Sequence, residues 1–339
     1  MKILNEVNFV ESVGADRWIG AGYKDAFEEL GHEVLWLTSA HDFKLRLEEV
    51  NPGILFIGLE RITAKTAPIL LDARKRGTKV VVAVSSVFDP NSETIKIIKE
   101  QEVADLYRGE TEKAWMTDFI EATERPYFVT ANALNPKYHF PTTPDKKYEC
   151  DIVFLGANLP LKKELFNELL FPLQKKYNVK LFGPGWTLRD KALRALAYSA
   201  RRMKLSKLND IISKQRITVP LEDENKLYSS AKISINIHER REGPTKNHVI
   251  LNERTFKIPG CGGFEICDYI PPKEVLRRYF REDEVVYAEN SKDWFDKIYH
   301  YLNHPEEREA IRQKGTKRAL ADHTYKHRAL EILEALGIN

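Results

Sequence analysis

Residues able to do chemistry crowd into one stretch, NIHERREGPTKNHVILNERTF, residues 236–256. It holds Asn236, His238, Arg240, Arg241, Lys246, His248 and Arg254 directly after an apolar run. Basic groups and amides at the end of a buried strand suit a phosphate-bearing ligand, because charge-assisted hydrogen bonds to phosphate oxygens are strong. A solvated surface loop is the plainer reading of the same residues. Metal binding is not expected, since His238 and His248 are ten residues apart with no matching carboxylate pattern. Two glycine-bearing loops, FLGANLP with Gly156 and LFGPGWT with Gly183, could cradle a diphosphate through backbone N–H groups. Each alone is more simply a tight turn.

A third candidate is the early loop NFVESVGADRWIGAG. Gly14, Gly20 and Gly22 permit close backbone approach, and Asp16, Arg17 and Trp18 are placed to contact a polar acceptor, Trp18 offering a stacking face for a sugar. Asp16 is the candidate for activating an acceptor hydroxyl, and His238 is the second catalytic candidate. A basic segment, Arg189 to Arg216, carries nine Lys/Arg against two Asp. Such a run is usually a solvated helix face, yet it also suits a membrane surface or a polyanionic acceptor such as DNA. No serine-nucleophile motif, phosphate-binding P-loop or zinc signature occurs.

The elements that must position these residues follow from periodicity. KILNEV, HEVLWL, GILFIGL, KVVVAVSS and ADLYRGE read as strands, and the nearly unbroken apolar runs among them suit strands covered on both faces. Helical patterns lie between, the first in GYKDAFEELG. A proline-rich stretch, 125–150, interrupts the rhythm and reads as a linker. The pattern restarts with CDIVFLGA, NVKLFGPG and KISINIH, and ends in helices, one with Ser291 as its expected cap. The chain of 339 residues is long enough for two α/β domains. Its net charge of +3 does not force a nucleic-acid reading, and no apolar run is long enough to span a membrane. Three cysteines without a C-x-x-C pair, and no signal-peptide pattern, point to a reducing cytoplasm.

At LNERTFKIPGCGGFEICDY the sequence resembles the CgeB-type (spore maturation protein type) glycosyltransferases, related to the group 1 glycosyltransferases. Asn252, Arg254, Thr255, Phe256, Cys261, Gly262, Phe264 and Asp268 carry the resemblance, and the ending DHTYKHRALEIL is similar to the family's tail. The resemblance covers the chain from about Asp151 onward and implies a GT-B fold: two Rossmann-like domains facing across a cleft, with a helical C-terminus. It implies an acceptor domain over 1–140, a donor domain over 150–320, and a C-terminal helix, 321–339, packing back toward the first domain. It also implies a nucleotide-sugar co-substrate, UDP- or GDP-linked, with no bound cofactor or metal.

The donor residues carried over on that basis are Gly156, Gly183, Asn236, Asn252, Arg254, Thr255, Lys257 and Glu265, and the acceptor residues are Gly14, Arg17 and Trp18. One position departs from the family pattern. Where the family has a glutamate that binds the donor ribose, this chain has Lys257, which cannot accept a hydrogen bond. Glu253 or Glu265 replaces that carboxylate, or Lys257 reaches a phosphate, or the donor is unusual or activity is lost. The acceptor is a glycan, a cell-surface polymer, a protein or a modified DNA base. A non-catalytic sugar-binding protein on the same scaffold is the alternative.

Overall fold

A computed structural model describes residues 1–7, 16–242, 247–269 and 274–338. The first unit is built on a six-stranded, wholly parallel sheet of order β2-β1-β3-β4-β5-β6. Its strands are β1 (Lys2–Glu6), β2 (Glu33–Leu37), β3 (Ile54–Gly58), β4 (Lys79–Ala83), β5 (Leu106–Gly109) and β6 (Tyr127–Val129). Parallel strands need crossovers, supplied by α1 (Asp16–Glu29), α2 (Phe43–Val50), α3 (Ala67–Lys75), α4 (Glu93–Glu100) and α5 (Thr117–Thr123). The apolar runs of β3 and β4 are buried because helices cover both faces of the sheet.

The second unit has a five-stranded parallel sheet, order β13-β12-β9-β7-β8. These strands are β7 (Cys150–Leu155), β8 (Val179–Phe182), β9 (Ala231–Asn236), β12 (Glu265–Cys267) and β13 (Val286–Tyr287). Between β9 and β12 an antiparallel hairpin, β10 (Glu239–Glu242) and β11 (Asn247–Ile250), precedes the short helix α11 (Arg254–Gly260). Helices α6 (Lys163–Leu165) and α7 (Phe171–Gln174) flank a π-helical turn, and α8 (Leu188–Arg202), α9 (Ser206–Lys214) and α10 (Glu224–Ser230) follow β8. After α12 (Glu274–Arg277) the chain ends in α13 (Ser291–Asn303), α14 (Pro305–Asp322) and α15 (Tyr325–Ala335).

The last helix belongs to the first unit's core. Tyr325, Ala329, Ile332 and Leu333 of α15 join Ile3, Tyr23, Phe27 and Phe56 in one apolar cluster. A β-bridge between Leu134 and Thr324 and an ion pair from Lys326 to Glu29, 2.6 Å, fix the same contact.

Three expectations need correction. Helix α1 starts at Asp16 rather than Gly22, so Gly20 and Gly22 are helical and not part of an open loop. A Cβ on Gly22 would lie 2.1 Å from the Tyr325 ring, so this glycine serves close packing of α1 on α15. The proline-rich stretch begins with a true strand, β6, which pairs with β5 and completes the first sheet. Asn290, not Ser291, caps α13, its side chain accepting from the Asp293 N–H at 3.0 Å.

Candidate active site

Parallel sheets of this kind bind ligands beyond the carboxyl ends of their strands. At that end of the second sheet, β9 ends in Asn236 and leads into Ile237 and His238, Asp268 follows β12, and α11 delivers Arg254, Thr255 and Lys257, while Glu265 reaches Asn236 from the start of β12. Most of these polar side chains are buried, so each must find a partner. Asn236 is the hub. Its oxygen accepts from Asn252 Nδ2 at 2.9 Å and Arg254 Nε at 3.2 Å. Its Nδ2 donates to Glu265 Oε1 at 2.8 Å and to Thr255 Oγ1 at 3.2 Å. Asn252 also accepts from the Arg254 backbone N–H at 2.9 Å, which sets the start of α11.

His238 is fully buried, with Nδ1 2.8 Å from Asp268 Oδ1 and Nε2 3.0 Å from the Thr255 hydroxyl. Burial lowers the imidazole pKa against the pull of Asp268, and Arg254 and Lys162 lower it further. The ring is therefore neutral, with Nδ1–H donating to Asp268 and Nε2 accepting from Thr255. Both ring nitrogens are engaged. Glu265 is buried, and that burial pushes its pKa up to about 7 in spite of the hydrogen bonds from Cys267 and Asn236. Its Oε2 has no hydrogen-bond partner, which fits a carboxyl that is neutral below that pH.

Two cations meet at one carbonyl. Arg254 Nη2 lies 3.4 Å and Lys162 Nζ 3.0 Å from the Ile237 oxygen, and both side chains are largely buried. The Arg254 guanidinium also lies 5.6 Å from the Phe154 ring centroid, beside the β7 loop. A Cβ on Gly156 would stand 3.1 Å from Arg254 Nη1, so this glycine makes room for the guanidinium. Gly183 has φ +111°, and a Cβ there would meet the Gly156 carbonyl at 2.4 Å. The two glycine loops thus pack against each other, and Gly183 is needed for that packing.

Lys257 takes a different course from Arg254. Its ammonium is 2.9 Å from Glu224 Oε2 and 3.7 Å from Glu253 Oε1, and it lies 4.8 Å from the Trp18 ring centroid. Burial raises the Glu224 pKa, but Lys257 and His139 outweigh it and hold the carboxyl down at about 2. Trp18, buried, also packs on His139 with ring centroids 4.6 Å apart. Lys257 therefore ties the second unit to α1 of the first, with carboxylates at hand to balance its charge. Trp18 is part of this contact and presents no open stacking platform.

The early candidates are only partly within view. Gly14 lies outside the described residues, as do the side chains of Asp16 and Arg17, which begin α1. Lys246 and the side chains of Arg240, Arg241 and His248 lie outside them too. Two residues of the site have roles that the sequence reading did not assign. Lys162 was hidden in a surface-like KK pair, although its place just after the Gly156 loop is a signal. Asp268 stands in the signature, but nothing in its spacing shows that it holds His238. No group of histidine, cysteine and acidic side chains able to hold a metal occurs among the described residues.

The site can be set beside known proteins. Residues 162–334, half of the chain, match the family model described as glycosyl transferase-like. The chain belongs to that family. The sequence has no match among curated proteins. Among solved structures, this glycosyl transferase-like chain is similar to a sucrose-phosphate synthase from Thermosynechococcus elongatus. The TM-score is 0.63 at 12% identity, over 98% of this chain and 97% of that one. It is similar to Anabaena HepE in complex with UDP-glucose, with a TM-score of 0.59 at 14% identity over 99% of each chain. It is also similar to an α-glucosyltransferase in complex with UDP and a 13-mer DNA containing an HMU base. That TM-score is 0.61 at 12% identity over 99% of each chain. The two Rossmann-like units and the returning C-terminal helix of this glycosyl transferase-like protein are the GT-B fold.

Proposed function

We propose that the protein is a CgeB-type glycosyltransferase of the hexosyl- or pentosyl-transferring class. It moves a sugar from a nucleotide-sugar to a hydroxyl-bearing acceptor. The observation that carries this reading is the convergence of Arg254 and Lys162 on the Ile237 carbonyl at the carboxyl end of β9. Two cations held that close favour an anion, and a nucleoside diphosphate gains negative charge as its bond to the sugar breaks. Fixed positive groups aimed at that charge stabilise the transition state more than the ground state.

In this reading Arg254 and Lys162 bind the diphosphate, and Gly156 admits the guanidinium to it. Asn252 and Thr255 act around the sugar or phosphate, and Asn236 and Glu265 hold them in place. His238, with both nitrogens occupied, is a positioning residue that orients Thr255 through the Asp268 couple. UDP is the favoured nucleotide, since HepE binds UDP-glucose on the same fold.

The acceptor belongs in the first unit. A cavity of about 350 Å³ opens at the carboxyl ends of β1, β3 and β4, lined among others by Glu6, Tyr23, Phe56, Glu60, Arg108 and Glu110. Carboxylates there accept hydrogen bonds from acceptor hydroxyls. Asp16 begins the helix whose Ile19, Gly20 and Tyr23 line the cavity, and it is the candidate base.

Thermal unfolding against a panel of UDP-, GDP-, ADP-, CMP- and dTDP-sugars tests the donor site. A ligand at about 100 times its Kd adds roughly 2.7 kcal/mol to the folded state, which is several degrees in Tm. One nucleotide class, UDP first, is expected to give that shift. No shift with any of them would sink the proposal.

A further inference from the structure

The helical hairpin α8–α9 follows β8 in the second unit. Half of the large apolar side chains that stand exposed on the described surface belong to it. Leu188, Leu196 and Met203 are 83%, 57% and 69% exposed, and Leu205, Leu208 and Ile211 are also exposed. In α8 the pattern has a direction. Asp190, Ala197 and Ala200 are buried toward the protein. At 3.6 residues per turn, Leu188, Ala192, Leu196 and Met203 form one exposed stripe, which borders the buried side at Ala200. The helix thus exposes an apolar stripe beside its buried one, where an ordinary surface helix carries polar side chains.

Charge completes the pattern. Arg189, Lys191, Arg194, Arg202, Lys204 and Lys207 are exposed along the same hairpin, and Asp210 is its one exposed acid. Asp190 is already neutralised by Arg216, Nε to Oδ1 2.8 Å, and it accepts from the Gly185 N–H at 2.5 Å. That pair staples the base of the hairpin to the protein while its outer face stays open.

From this arrangement we infer that α8–α9 is a docking surface for an anionic lipid membrane. Leucine, isoleucine and methionine enter the acyl boundary, and the flanking cations meet the lipid phosphates. Duplex DNA satisfies the cations but gives the outward leucines nothing to bury in. The hairpin leaves from the carboxyl end of β8, the same end of the sheet that carries Asn236. The inference stands whether or not the chain transfers a sugar.

Co-sedimentation with lipid vesicles tests it, using the full chain. Binding is expected to vesicles of phosphatidylcholine mixed with phosphatidylglycerol, and at least about tenfold weaker to phosphatidylcholine alone. The pair Lys191→Glu with Arg202→Glu should weaken binding to the mixed vesicles by about tenfold or more. The pair Leu196→Ser with Met203→Ser should abolish the part of the binding that survives high salt. Both variants alter only exposed side chains, so their unfolding temperatures should match that of the wild type. Equal or absent binding to the two vesicle types overturns the inference. So does vesicle binding that neither variant changes, or salt-sensitive binding to duplex DNA in place of vesicles.

Discussion

Lys257 shows how one side chain can leave a family's usual role without disrupting the site around it. The resemblance placed it where a glutamate would hold the donor ribose, and its charge suggested phosphate instead. In the structure it is buried between Glu224 and Glu253 and rests on the Trp18 ring. Removing one member of a buried ion pair leaves the other uncompensated, so Lys257→Ala should cost about 3–5 kcal/mol in urea unfolding. Glu224→Ala should then cost much less in the Lys257→Ala background than alone, since the two share one interaction. Additive costs would show that the pair is not coupled. Glu265 gives a second test at this scale. Its carboxyl is raised from 4.5 to about 7 in the folded state. Its stabilising effect is therefore fully present below pH 4.5 and is lost as pH rises through about 7. The amount at stake is about 3 kcal/mol. Glu265→Gln can still accept from Asn236 and does not titrate. The stability of the variant relative to wild type should therefore increase from acid to neutral pH, and parallel profiles would show that Glu265 titrates normally.

At the scale of elements, most strands were legible because parallel strands covered on both faces are written as apolar runs such as ILFIG and KVVVA. What escaped was decided by tertiary contact. The start of α1 was masked by three glycines in nine residues, 14–22, a composition that reads as a loop. Only the Tyr325 ring, more than 300 residues away in sequence, shows why Gly22 belongs in a helix. Strand β6 was lost among prolines, and Lys162 among surface-like lysines. Asn252, Arg254 and Thr255 were readable from the signature, but their dependence on the Asn236 hub was not, because nothing in sequence spacing shows that β9 and α11 share hydrogen bonds. Gly22→Ala should test the α1–α15 contact. Its Cβ would sit 2.1 Å from the Tyr325 ring, and crowding of that kind costs about 1–3 kcal/mol. A fall in Tm of several degrees is expected. An unchanged Tm would mean that the ring moves aside freely.

For the whole molecule, two sheets present the carboxyl ends of their strands, and the chain crosses between them twice. The second crossing, at Thr324, returns α15 to the first unit and makes one apolar core from both ends of the chain. Trp18, His139, Glu224 and Lys257 add a buried polar contact between the units. In the proposed function, a donor in the second unit and an acceptor in the first would thereby be kept in register, the proximity that a two-substrate transfer requires. Sugar transfer at this site depends on where the diphosphate sits. The most direct measurement is calorimetric titration of the nucleoside diphosphate that stabilises the wild type into Arg254→Ala and Lys162→Ala. Each loss should weaken affinity by roughly ten- to a hundredfold, as expected for a charge-assisted hydrogen bond, at a temperature where both variants remain folded. Affinity equal to wild type in both variants would place the diphosphate elsewhere and contradict the assignment of the site.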